Sequence, residues 1–300
     1  MRGMATRVKV VGLYVYPVKS TRGIARSRVQ VAVTGFEWDR QWMVVDQEGR
    51  FLTQRSHPQM ARIVPKVTAR ALVLGAPGLP ALRVPLGRVR DDARSDEGAR
   101  RVEGAVEGER ITVRIWKDSC TAVDQGKEAN EWLSRAIGQP VRLVRVPPDM
   151  GRTANPAFAG PTAAPINFPD GYPVLVCNVA SLDELNRRLP APIPMERFRP
   201  GVVIEGVPAW AEDRIDTLTV GRLTLRLVKP CTRCAIPSLD HRTGERSTDP
   251  TPVLKELRYS KVLRGVMFGE NATIVAGVGA EVRRGSAGWV TFEGERAAIT

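Results

Sequence analysis

Apolar and polar residues alternate with a period close to two along most of this chain, so most of its elements are predicted to be strands. Residues 8–16 (VKVVGLYVY) and 27–33 (SRVQVAV) are the clearest, rich in the β-branched and aromatic side chains that suit a pleated surface. Residues 42–46 and 51–54 flank Gln47-Glu48-Gly49-Arg50, a predicted hairpin turn. Shorter strands are predicted at 63–67, 71–74, 111–116 and 141–146, then at 174–177, 202–205, 217–220, 223–228, 272–275 and 281–283. Helices are few. Residues 128–137 (EANEWLSRAI) read as an amphipathic helix, with Asp124 as N-cap and Gly138 as the stop. Ser181 and Glu184 have capping-box spacing before a helix at 182–189, and Thr251-Pro252 opens one at 253–258. Many short strands with so few helices predict a mainly β (α+β) chain, a barrel or sandwich rather than βαβ units. Residues 88–110 carry seven acidic and six basic side chains with almost no large apolar ones and read as an exposed loop. Residues 147–170, rich in Pro, Ala and Gly, read as the loop between a unit at 1–146 and a second at 171–300.

Composition narrows the function. Hydrophobic residues are 43% and charged residues 26%, which excludes a disordered chain. No apolar run approaches the roughly 18 residues of a membrane span, and the N-terminus lacks a signal-peptide core; a cytoplasmic protein without a membrane span is expected. Two histidines, His57 and His241, exclude a His-rich metal site, and both are expected in structural or exposed loop positions. Four cysteines are too few for a disulfide scaffold and fit a reducing compartment. The net charge of +13 points to an anionic partner: a phosphorylated cofactor, an acidic redox protein or nucleic acid. Nucleic acid is set aside, because aromatics are only 6% and no strand interleaves them with basic residues.

Cys231-Thr232-Arg233-Cys234 is the sharpest local feature. Pro230 is expected to end the strand before it, leaving the cysteines on a turn. Lys229 and Arg233 flank the thiols and favour the thiolate form. The pair reads as a redox couple, as half of a zinc site, or as one thiolate ligand to a soft metal. No second CxxC completes a zinc site, and 235–239 (AIPSL) reads as extended rather than as the helix of a redox motif. Two buried small residues are the bland alternative. Cys120 and Cys177 are expected in the core, and Trp116, Trp132 and Trp289 as packing residues. Lys19-Ser20 at the end of the first strand suit a phosphate. Asp39-Arg40, Thr53, Arg55, Arg197 and Arg199 are further polar candidates.

YPVKS, the WDRQWMVVDQEGRFLTQR stretch, FRPGVVIEG, WAED and CTRC with its downstream DHRTG stand in the order found in MOSC proteins that carry an N-terminal β-barrel domain. Over residues 8–282 the chain resembles that family, and within it the mitochondrial amidoxime reducing component and its bacterial counterparts; the C-terminal domain of molybdenum cofactor sulfurase is more distant. The resemblance implies a MOSC β-barrel core packed against an N-terminal β-barrel-like domain, with few short helices. It implies the molybdenum cofactor, molybdopterin with Mo. Cys234 would be the thiolate on the metal. Lys19, Ser20, Arg40, Arg199, Thr232, Arg233 and Asn271 would bind the cofactor. Asp170 would lie near the metal as the second catalytic residue, delivering a proton or polarising an oxygen there. The reaction implied is reduction of small N-hydroxylated substrates such as amidoximes or hydroxylamines. Electrons would come from a separate protein, such as an acidic ferredoxin, flavodoxin or flavin reductase, which a basic chain attracts. The alternative is a sulfur carrier holding a persulfide on Cys234.

This sequence departs from the family pattern at four places. Gly201 stands where relatives often have Asn, so one cofactor hydrogen bond is lost or comes from backbone. Gly171-Tyr172 replaces small hydroxyl residues. RRGSAGWV replaces the usual C-terminal signature, so an altered last strand is expected. No C-terminal iron–sulfur domain is expected with four cysteines.

Overall fold

The computed structural model describes residues 5–86, 108–160 and 164–292; most of the charged loop expected at 88–110 lies outside them. The architecture is mainly β. Seven strands close a barrel in the order Val174–Asn178, Val202–Glu205, Thr6–Val15, Ala287–Phe292, Ile215–Val220, Leu223–Thr232 and Gly265–Ala276, which pairs back onto Val174–Asn178. All neighbours are antiparallel except Val174–Asn178 with Val202–Glu205. A parallel pair needs a crossover, and the helix Val179–Asn186 lies within it.

The chain's first strand is therefore a stave of the barrel whose other staves come from residues 174–292. Its sequence shows how. Val8 and Val10 point inward, and the register shifts between Val10 and Gly12. After that bulge Leu13 and Val15 point inward, while Val11 and Tyr14 pack on the outside. The altered C-terminal stretch also supplies a stave: Ala287–Phe292 sits between the first strand and Ile215–Val220. Glu281–Arg283, by contrast, lies off the barrel against Arg28–Ala32.

Strands between residues 42 and 145 form a second unit. Trp42–Val45, Arg142–Arg145, Asp118–Asp124 and Arg110–Ile115 make a four-stranded sheet in that order. Trp42 and Val44 face one core, with the helix Lys127–Ile137 and the three-stranded sheet of Val64–Val67, Ala71–Ala76 and Leu79–Pro85. Met43 and Val45 face another, with Phe168. This explains why 42–45 reads as a continuous apolar run: it is buried on both faces. None of the described helices is long and apolar enough to cross a membrane.

Local capping differs from expectation at two helices. Gly126 (φ 91°), not Asp124, caps Lys127–Ile137; the Asp124 carboxylate instead accepts from the Gly126 and Asn130 N–H groups, while Gly138 (φ 84°) ends the helix as expected. Ser181 is not a cap either, because Asn178 caps Val179–Asn186. Ser181 Oγ instead donates to Glu212 Oε2 at 2.8 Å and accepts from the Trp210 N–H, so the residue is diverted to a buried carboxylate. The supposed loop at 147–170 is packed over much of its length, with Arg152, Ala154, Ile166, Asn167 and Phe168 buried.

Two tests probe this packing. Gly269 has φ 75°, and an added Cβ would lie 2.7 Å from Cys177 Sγ and 2.9 Å from the Val176 carbonyl. Gly269→Ala is expected to lower unfolding free energy by about 2 kcal/mol or more, read by urea titration. Burial pushes the Glu212 carboxyl up to about 7, against the Ser181 hydrogen bond that favours its ionised form. The folded state thus binds this proton more tightly than the unfolded chain, where the pKa is about 4.3. Stability from Glu212 is full below that value and is lost as pH rises through about 7. Glu212→Gln should flatten a decline on the order of 2–3 kcal/mol between pH 5 and 8.

Candidate functional site

The site begins with backbone. Where the first strand ends, Tyr16 to Thr21 turns onto residues 39–42. The Arg40 N–H donates to the Tyr16 carbonyl, Trp42 N–H to Pro17, and Lys19 N–H to Trp42, at 2.8–3.0 Å. The Phe168 N–H then donates to the Arg40 carbonyl, and the Asn167 amide to that of Asp39. Three distant segments are thereby locked side by side. Ser20 (φ 64°), Arg40 (φ 47°), Trp116 (φ 58°) and Arg199 (φ 57°) all adopt left-handed backbone here, a conformation that costs free energy and gathers at functional sites.

These segments wall a cleft of about 400 Å³ between the barrel and the second unit. Lys19, Ser20, Arg40, Asp170, Arg199, Thr232, Arg233, Cys234 and Asn271 all line it, so every residue singled out from the resemblance comes to one place. Its lining carries five cations, with Arg55 the fifth, against the single acid Asp170. Arg40 and Arg199 lie 4.3 and 4.2 Å from the centroid of the buried Tyr16 ring. Arg40 pairs with Asp39 at 2.5 Å, and Arg199 Nη1 donates to the Thr21 carbonyl. Burial draws the Arg199 pKa down to about 10, with Arg40 adding to the effect. A guanidinium this poorly compensated favours an anion beside it.

Lys19 is buried; its Nζ donates to the Phe168 carbonyl at 2.9 Å and to Asp170 Oδ1 at 2.5 Å. Burial lowers the Lys19 pKa, opposed by Asp170. Asp170 leaves 63% of its side chain exposed; the desolvation it meets in the cleft would raise its pKa, but the Lys19 ammonium and the Lys19 and Trp116 hydrogen bonds outweigh it and hold the carboxyl well below the usual carboxylate range. Asp170 is thus ionised. Proton delivery would need a raised pKa, whereas an ionised carboxylate accepts hydrogen bonds.

The thiols arrive differently from expectation. Leu223–Thr232 does not stop at Pro230: it continues to Thr232, with register shifts between Leu227 and Lys229 and between Pro230 and Thr232. Bulges absorb the missing proline donor. Cys231 is therefore on the strand and Cys234 just beyond it, before a 3-10 turn at Ile236–Ser238 where an extended segment was expected. Arg233 Nη1 donates to Cys231 Sγ at 2.9 Å and Nη2 to the Phe198 carbonyl. Lys229 points away, over the Phe158 ring. Among the described residues no cluster of three or more His, Cys, Asp or Glu side chains is arranged to hold a metal, so the zinc reading finds no closed ligand set.

Other candidates lie elsewhere. Arg197 is buried and binds the Pro237 and Thr248 carbonyls, holding the loop after the cysteines. His57 is bonded to Ser56 and Gln139, outside the cleft. Gly201 sits in the barrel wall, its N–H donating to Leu175 and its carbonyl accepting from Tyr14; neither its backbone nor a side chain serves the cleft. Cys177 and Trp132 are core residues and Cys120 is half-buried, but Trp116 and Trp289 are half-exposed rather than packed. Trp116, Arg55, Tyr172 and Cys231 also line the cleft, although the resemblance gave none of them a cofactor or catalytic role. A large aromatic at the turn of a polar hairpin, in Trp116-Lys117-Asp118, was the available signal for the first.

Arg152 ties the two walls together. Its guanidinium bonds Asp118 and the carbonyls of Asn167, Pro169 and Asp170. Arg152→Ala is expected to cost about 2–4 kcal/mol, and Arg152→Lys less, measured by denaturant unfolding.

Fold and site together define a two-unit β protein with a basic, thiol-bearing cleft at the seam. Residues 7–140 match the MOSC N-terminal beta barrel domain, and residues 163–283 the MOSC domain. Mitochondrial amidoxime-reducing component 1 of Homo sapiens is 30% identical over 272 residues, 87% of this chain and 75% of that protein. Its Xenopus laevis counterpart is 28% identical, covering 94% of this chain and 85% of that protein. Molybdenum cofactor sulfurase of Bos taurus is 27% identical over 86% of this chain, which spans only 30% of that longer protein. The chain belongs to the family of MOSC-domain proteins with an N-terminal MOSC β-barrel.

Proposed function

We propose that this protein is a molybdenum-cofactor oxidoreductase that reduces small N-hydroxylated compounds. One observation supports this most: the thiol and the cations that such a cofactor needs line a single cleft, although they come from five separate stretches of sequence. The donor set fits the cofactor. A thiolate suits molybdenum, and guanidiniums short of counter-charge suit the pterin phosphate. The Tyr172 hydroxyl, buried without a hydrogen-bond partner among the described residues, is a polar group waiting at the cleft wall. Cys234 would ligate the metal, while Arg40, Arg199 and Ser20 would hold the phosphate. Thr232, Arg233 and Asn271 would line the pterin.

When bound, the cofactor supplies two-electron redox chemistry. The chain's own residues do the rest. Ionised Asp170 accepts a hydrogen bond from the N–OH or amino edge of the substrate and orients it. Lys19 keeps Asp170 ionised and is the proton-bearing member of that pair. Reducing an N–OH group to N–H and water consumes two electrons and two protons. The electrons come from a separate, acidic donor such as a ferredoxin, flavodoxin or flavin reductase, steered by the positive surface. A cytoplasmic location keeps the thiols reduced.

Cys234→Ser, purified from a cofactor-competent host, is expected to fall from near-stoichiometric to background molybdenum and to lose reduction of N-hydroxy substrates. Cys231→Ser is expected to keep the metal. Retention of both metal and turnover by Cys234→Ser would sink the reading. A wild-type chain that carries no molybdenum but one extra sulfur atom by intact mass would favour the persulfide carrier.

A further inference from the structure

Trp116 is placed as no packing residue would be. It stands at the turn between Arg110–Ile115 and Asp118–Asp124, in left-handed backbone, with 53% of its surface exposed. The indole is nevertheless fixed. Its edge meets the Phe51 ring at 5.2 Å between centroids, its Nε1 donates to Asp170 Oδ1 at 3.1 Å, and the Arg55 guanidinium lies 4.3 Å from its centroid. Beneath it, Asp118 is clamped by buried Arg152. A strained, exposed and immobilised aromatic facing a cleft is a poor contributor to folding and a good contact for a flat ligand, because little freedom remains to be lost on stacking.

The charges around it restrict which flat ligand. Five cations in the lining repel a cationic one. Arg40 and Arg199 would draw an anionic one away, toward the phosphate position. An uncharged molecule with a hydrogen-bonding edge is left for the end of the cleft where Trp116, Arg55 and Asp170 meet.

We propose that Trp116, backed by Arg55, is the substrate-selecting wall of this cleft, favouring flat, uncharged N-hydroxy compounds whose N–O group is conjugated to a ring over those bearing the same group on a saturated carbon. This inference rests on the N-hydroxy reading above. Trp116 acts by contact with substrate, and Arg55 and Arg152 are positioning residues that hold it.

Benzamidoxime and acetamidoxime carry the same neutral head group and differ in the ring. Their binding is measured by calorimetry on the oxidised, cofactor-loaded protein without an electron donor, so that nothing turns over. Wild type is expected to prefer benzamidoxime by about tenfold. Trp116→Ala should narrow the ratio to about twofold or less, while Trp116→Phe, which keeps a ring but not the N–H, should retain most of it. Thermal midpoints of the three proteins identify any variant that fails to fold, in which case Trp116→Phe and Arg55→Ala carry the comparison, the latter narrowing the ratio. A ratio unchanged in Trp116→Ala, or no binding of either compound by wild type, overturns the wall. Reduced donor is then added. Trp116-dependent binding without reduction of either compound overturns the N-hydroxy reading and leaves the wall as a selector of flat neutral ligands. Reduction of both compounds with a ratio indifferent to Trp116 leaves that reading standing and removes the wall.

Discussion

Everything at the cleft hangs from the passage of the chain out of its first strand. Thr6–Val15 closes the barrel, and within a few residues the same backbone hydrogen-bonds to residues 40–42 of the other unit. One continuous stretch thus belongs to both halves, and no hinge separates them at that point. The third segment, 167–170, docks on the first two through Phe168 and Asn167. Lys19, Arg40 and Asp170 are side chains of this triple junction. Their relative positions are set by main-chain hydrogen bonds, which hold a site more tightly than long side chains reaching across a surface.

The junction also concentrates charge. Surface arginines contribute to the +13 at little cost, since water screens them. Arg199 and Lys19 are different: both are buried enough for desolvation to lower their pKa values. Asp39 and Asp170 compensate only part of that charge, and the remainder is directed into the cleft. A protein that needed only stability would be expected to pair these groups or replace them with apolar ones. The left-handed backbone at Ser20, Arg40, Trp116 and Arg199 points the same way, toward a place where fold stability is given up for arrangement.

Much of the secondary structure was legible in the chain because alternation and turn residues are local signals. Val202–Glu205 and Glu281–Arg283 match their predicted limits, and Gly138 stops its helix as read. Misreadings share a cause. Ser181 has the spacing of a cap, but Glu212, distant in sequence, captures its hydroxyl. Pro230 should end a strand, yet a partner strand with shifted register carries it onward. Trp116 looks like core until the hairpin beneath it is seen to be pinned by Arg152.

The sequence by itself determined the β character of the chain, the spaced motifs of its family and the chemical types at the site: a thiol pair, a phosphate-ready Lys-Ser and several arginines. These are properties of residue type and spacing, which survive without knowledge of neighbours. Only the tertiary structure decided that the N-terminal strand joins the barrel built from residues 174–292, that Asp170 stays ionised beside Lys19, and that Trp116 faces the cleft. Strand pairing, desolvation and exposure each depend on groups far apart in the chain, and no local pattern encodes those distances.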